Sequence, residues 1–147
     1  MTSIFEVLVL EKQYAAARAA LRGIIESMIA AGRQTMNLHM DVGPVELHKN
    51  IAVTFEHANE GTRFDEVWSI HWEPENGGPF PEFSGWLSVQ YASGGFAQLE
   101  VRGEYAPPLG AVGKGFDLML GQRIAAQTCK NLLGDIAGLV QDRAVSA

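Results

Sequence analysis

The stretch from residue 83 to residue 105 constrains this chain more than any other. Apolar and polar residues alternate along 83–91 and again along 96–105, with Ser93-Gly94-Gly95 between them. A period of two is that of a half-buried strand, and a short glycine-bearing connection folds two such strands into an antiparallel hairpin. A turn there pairs Tyr91 with Ala97, Val89 with Leu99, Leu87 with Val101, Gly85 with Gly103 and Phe83 with Tyr105, all on the apolar face. The other face pairs Gln90 with Gln98, Ser88 with Glu100, Ser84 with Glu104, and Trp86 with Arg102. The last pair sets a guanidinium against an exposed indole.

The same reasoning extends towards the N-terminus. Met36, Leu38 and Met40 alternate with Asn37, His39 and Asp41, and residues 46–56 form the next strand, with Ile51, Val53 and Phe55 on one face. A turn at Val42-Gly43-Pro44-Val45 places Met36 opposite Ile51, Met40 opposite Leu47, His39 opposite His48 and Asn37 opposite Asn50. In that register one face is mostly apolar and the other polar, which is how register is normally fixed. Residues 64–73 put Trp68, Ile70 and Trp72 on one face, in phase with Glu66, and Val67, Ser69 and His71 on the other. Residues 4–10 read as a further strand. The segments 57–63, around Asn59-Glu60-Gly61, and 74–82, rich in Gly and Pro, are connections.

Two segments carry the helical period instead. In residues 13–31, Tyr14, Ala17, Leu21, Ile24, Ile25 and Met28 recur at three- and four-residue steps, and Gly32 stops the run. After Pro107-Pro108, a long helix is expected over 112–141. Its apolar stripe runs through Leu118, Gly121, Ala125, Cys129, Leu132, Ile136 and Val140, opposite Arg123, Gln127, Lys130 and Asn131. Phe116, Met119, Leu120 and Ile124 make its first turns apolar on all sides, as in an enclosed helix, so the N-terminal half is expected to be the deeper one. One strand, a helix, five strands joined by short connections and a final helix make an α+β domain spanning 1–147.

The 147 residues suffice for one core, and a 47% hydrophobic content argues against disorder. A net charge of −6, with lysines and arginines scattered singly, opposes binding of phosphate backbones, so no nucleic-acid partner is expected. No apolar run is long enough to insert into a membrane. The single cysteine excludes an internal disulfide, and the first residues carry neither a basic region nor a small-residue cleavage site. A cytoplasmic location is the expectation.

The stretch Phe80-Pro81-Glu82-Phe83-Ser84-Gly85, the hairpin after it, the segment from Gly103 to Gly113 through Pro107-Pro108, and the helix from Phe116-Asp117 to Ile136-Ala137 resemble the START-like helix-grip superfamily. That group includes polyketide cyclases, lipid-transfer domains and pathogenesis-related proteins. The resemblance implies a curved antiparallel sheet of about six strands wrapped around the C-terminal helix, with a cavity between them. It does not imply one activity, since members include carriers, cyclases, dehydratases and regulators; a small hydrophobic ligand is the expected partner, and no cofactor is expected. The N-terminal region departs from the common pattern, since one long helical run replaces two short ones, with Tyr14 near the place of an aromatic.

Function is less legible than fold. A cavity of this kind would be lined by Met40, Phe55, Trp68, Ile70, Trp72, Phe116 and Leu120, with the Tyr91 and Tyr105 hydroxyls orienting a ligand. The same residues serve equally as a packed core. Glu66 is a weak catalytic candidate: among apolar neighbours it could work as acid or base, and otherwise it reaches solvent or an arginine. His39 and His48 with Asp41 or Glu46 carry metal-ligand chemistry, but on the polar face the plainer expectation is a solvated pair without metal. His71 and Glu73 share a face with weaker spacing. Cys129 reads as a buried small hydrophobe. Gly110 to Gly115 lacks the hydroxyl and spacing of a phosphate loop. Binding of a small apolar or amphipathic molecule is therefore the expected function. The alternatives are a cyclase- or dehydratase-type enzyme using Glu66 and a tyrosine, and an interaction module, such as a homodimer contact through Trp86.

Overall fold

The computed structural model describes residues 2–42, 45–57, 66–75, 82–106 and 118–145. Six strands and two long helices follow in the order β1 (Thr2–Gln13), α1 (Tyr14–Ala31), β2 (Gln34–Val42), β3 (Val45–His57), β4 (Glu66–Pro74), β5 (Glu82–Tyr91), β6 (Phe96–Ala106) and α2 (Leu118–Val145). The strands form one curled sheet in the order β1-β6-β5-β4-β3-β2, and every neighbouring pair is antiparallel. The helices pack on its concave side: α1 lies against α2 and reaches β3, and α2 runs mainly along β1. This is the expected α+β helix-grip arrangement.

Both hairpin registers read from alternation are observed. His39 faces His48 and Met36 faces Ile51 across β2 and β3. Tyr91 faces Ala97 and Gly85 faces Gly103 across β5 and β6. The second hairpin closes through a short 3-10 turn at Ser93–Gly95. There Gly94 and Gly95 take positive φ angles of 78° and 84°, and Ala92 N–H donates to Phe96 O at 2.7 Å. Only glycine adopts such angles without strain, which explains its presence at both positions. Gly32 plays the same part at the end of α1, with φ 82° and its N–H shared between the Met28 and Ile29 carbonyls.

The N-terminal strand runs longer than the expected 4–10, because its pairing with β6 continues to Gln13↔Phe96 past an irregularity after Leu10. The C-terminal helix extends to Val145 rather than 141. The first part of its expected run, 112–117, lies outside the described residues, as do Gly43-Pro44, most of the 57–63 and 74–82 connections, and the Pro107 to Gly113 segment. The expected stripe of α2 is the buried one: Gly121, Ala125, Cys129, Leu132, Ile136 and Val140 face inwards, while Arg123 and Lys130 are exposed. On α1 the buried face is Ala17, Leu21, Ile24 and Ile25. Each of the larger side chains buried here contributes about 1.5–3 kcal/mol by leaving water, which holds both helices on the sheet.

Candidate functional site

The concave face is organised in cross-strand rows. Strand alternation points Trp72 of β4, Phe83 of β5 and Tyr105 of β6 inwards, and the pairings Trp72↔Phe83 and Phe83↔Tyr105 align them in one row. All three are at most 1% exposed, and the Trp72 and Phe83 rings stack at 4.2 Å with 12° between their planes. The next row contains Phe55, Ile70, Gly85, Gly103 and Ile4. The two facing glycines place no side chain on the concave side. The Phe83 ring uses that space, since a Cβ on Gly103 would stand 2.7 Å from Phe83 Cζ. Trp68 and Leu87 pair in the row beyond. An aromatic wall beside a glycine floor therefore lies beneath the helices.

The structure brings Phe55, Trp68, Ile70, Trp72 and Tyr105 onto this face, all buried. Tyr91 does not join them. It keeps its expected pairing with Ala97 but is 69% exposed, which corrects the expectation that it faces inwards like Tyr105 at the other end of the hairpin. It is the last residue of β5, at the N-terminal end of α1, and makes a T-shaped contact with the Tyr14 ring at 5.9 Å and 68°. Met40 and Leu120 are placed in β2 and α2 by their backbones alone, and Phe116 lies outside the described residues.

Glu66 opens β4 in phase with Trp68 and Ile70, with 13% of its side chain exposed. It is not surrounded by apolar groups alone. Arg18 and Arg22, one turn apart on α1, both reach its Oε1, Arg18 Nε at 3.1 Å. The i, i+4 spacing of these arginines is visible in the sequence, but their shared partner, 48 residues beyond Arg18, is not. A carboxylate clamped by two guanidiniums ties α1 to the sheet, and acid–base work at this oxygen would require those pairs to open.

On α2, Cys129 is fully buried, and its thiol pKa is raised by burial and then by the charge of Glu6. A thiol that resists ionisation is a poor nucleophile.

The outer face carries two further features. A concavity of about 790 Å³ is lined chiefly by residues alternating away from the core, among them Phe5, Ser69, His71, Ser84, Trp86 and Arg102. Phe5 is 62% and Trp86 40% exposed, and the Arg102 guanidinium lies 5.9 Å from the centre of the Trp86 ring, the expected cation–π pair. Sequence reading missed Phe5, because it comes beside Arg102 only through the β1–β6 pairing. The second feature is the expected histidine pair. The His39 and His48 rings stack at 4.1 Å, and both Nε2 atoms face Glu46 Oε1, at 2.7 and 3.1 Å. These contacts hold the Glu46 carboxyl below its usual range, the His39 hydrogen bond first.

Among the described residues, no helix is long and apolar enough to cross a membrane. No known protein-family description matches the sequence. No curated protein matches it. Solved structures do share its architecture. A conserved protein from Geobacillus kaustophilus superposes with a TM-score of 0.53 at 12% identity, over 97% of this chain and 94% of that one. A protein from Thermus thermophilus gives 0.52 at 8% identity, over 97% of this chain and 99% of that one. At such identities the likeness establishes a common fold and says nothing about chemistry.

Proposed function

We propose that this chain is a START-like ligand-binding domain that holds one small apolar or amphipathic molecule between the concave face of the sheet and α2. The observation that carries the reading is the row of Trp72, Phe83 and Tyr105 on the concave face beside the Gly85–Gly103 pair, which adds no side chain there. Pockets for small ligands combine rigid apolar walls with few polar groups, and the Tyr105 hydroxyl and the Trp72 indole N–H are the polar groups of this row.

The test uses the distribution of the three tryptophans, of which Trp68 and Trp72 are buried on the concave face and Trp86 is on the outside. In a Trp86→Phe background, fluorescence reports only from the concave face. Freshly purified protein is examined by native mass spectrometry, then delipidated and titrated with a medium-chain fatty acid and a polyaromatic probe. The expected result is a one-to-one adduct, or saturable quenching of the two interior indoles. A bare mass together with no spectral response to either probe would overturn the reading in favour of a filled core.

The exposed outer face favours a second reading as a homodimer contact. Phe5, Val7 and Val9 on the edge strand β1, and Trp86 on β5 across the intervening β6, expose apolar surface on the outer face, and exposed apolar patches mark interaction sites. Sedimentation of wild type against a Phe5→Ser, Trp86→Ser variant decides it: a dimer must dissociate in the variant, and a wild-type monomer at high concentration removes the reading.

A further inference from the structure

We infer that His39, His48 and Glu46 form a divalent transition-metal site on the outer face of the β2–β3 hairpin. The argument begins with strand geometry. Residues two apart on a strand share a face, so Glu46 and His48 point the same way from β3. Antiparallel pairing puts His39 of β2 directly opposite His48. Three donors are thereby gathered from two paired strands, on backbone whose register is set by the hydrophobic alternation of the opposite face.

The donors already converge. His39 Nε2 lies 2.7 Å and His48 Nε2 3.1 Å from the same oxygen, Glu46 Oε1. The stacked rings, 4.1 Å apart and inclined by 24°, present their Nε2 edges to one side. All three ligand atoms lie within 4.8 Å of one another. A tetrahedral zinc ion with bonds of about 2.0–2.1 Å requires donor separations of about 3.3 Å, so small side-chain rotations open the present triangle enough. A carboxylate oxygen can only accept, so each imidazole facing it donates its Nε2–H. On binding, each ring presents the Nε2 lone pair instead and carries its proton on Nδ1, so the ion takes the place of the two shared hydrogens without a net change of protonation on neutral rings. Asp41 faces Glu46 across the strands and adds a second negative charge beside the ion.

The donor set selects the class of ion. Two imidazoles and one carboxylate suit Zn²⁺, Cu²⁺ or Ni²⁺, whereas Mg²⁺ and Ca²⁺ require oxygen ligands. Three protein ligands leave a coordination position for water on the exposed side. The ion would join β2 to β3 close to their turn. This inference is independent of the interior pocket.

A second histidine–carboxylate group, His71, Glu73 and Glu82, provides the internal control. Glu73 is already paired with Arg33 at 2.8 Å, the Nδ1 of His71 shares a hydrogen bond with Ser84, and its Nε2 stands 4.0 Å from Glu73. A cation there would have to displace a guanidinium.

The experiment is calorimetric titration of the full chain with Zn²⁺, alongside His39→Gln, His48→Gln and His71→Gln variants. All three positions are exposed or half-exposed, so each variant should fold, which circular dichroism without metal verifies. The expected result is one Zn²⁺ per chain in wild type and His71→Gln, with affinity reduced by about tenfold or more in His39→Gln and in His48→Gln, the scale on which metal sites respond to lost ligand support. Imidazole nitrogen signals of His39 and His48 should shift together on Zn²⁺ addition. No Zn²⁺ binding by wild type, or an affinity unchanged in both His39→Gln and His48→Gln, would overturn the inference. So would a loss confined to His71→Gln.

Discussion

Replacing Gly103 by alanine should be among the most destabilising single-methyl additions in this protein. A Cβ at Gly103 would collide with the Ser84 carbonyl oxygen and stand 2.6 Å from Gly85 Cα and 2.7 Å from Phe83 Cζ. Carbon atoms in contact settle at about 3.5–4.0 Å, so β5 and β6 would have to part by roughly 1 Å. Two of these three neighbours are backbone and have no rotamer through which to escape. Overpacking of this kind costs about 1–3 kcal/mol, and the rigidity of both partners places Gly103→Ala near the top, at about 3 kcal/mol. For a chain of this size each kcal/mol moves Tm by about 3–4 °C, so a fall of about 10 °C is expected.

The matched control is Gly138→Ala on the exposed side of α2, where an added Cβ meets nothing within 4 Å. The same methyl there should raise stability by about 1 kcal/mol through helix propensity. Gly85→Ala alone and the double variant Gly85→Ala, Gly103→Ala complete a cycle, in which the double should cost less than the sum of the two singles, because once the strands have separated for one methyl the second finds room. Urea unfolding followed by circular dichroism measures all five proteins. If Gly103→Ala lies within about 0.5 kcal/mol of wild type, the glycine pair is not a site of forced close approach, and the argument for the aromatic wall beside it fails.

Two further perturbations probe the site from other sides. Cys129 should react with a thiol reagent only as the protein unfolds, since its thiol is buried and its pKa raised; labelling of folded protein at the rate of free cysteine would contradict its place in the core. Glu66→Gln keeps the shape but removes the charge held by Arg18 and Arg22, and should cost about 1 kcal/mol, the scale for a partly exposed ion pair. Added salt should narrow that difference, and ligand occupancy should change less than about twofold; if Glu66→Gln abolishes occupancy instead, the carboxylate touches the ligand and its structural reading is wrong.

The amino-acid sequence alone determined the elements that repeat with a short period. Alternation through residues 83–91 and 96–105, with glycines that tolerate positive φ between them, admitted a single register, and that register is observed. His39 opposite His48 followed from the same rule, as did the buried stripe of α2. These are local facts, written in periods of two and 3.6 residues. What only the tertiary structure decided is the non-local part. The pairing of β1 with β6 brings Phe5 beside Arg102. The crossing of α1 sets Arg18 and Arg22 on a carboxylate 48 or fewer residues further along the chain. Tyr91 was in phase with the buried face, yet at the end of β5 it meets the Tyr14 ring and is 69% exposed. Alternation tells which way a side chain points; only the packing of distant elements decides whether anything lies there to cover it.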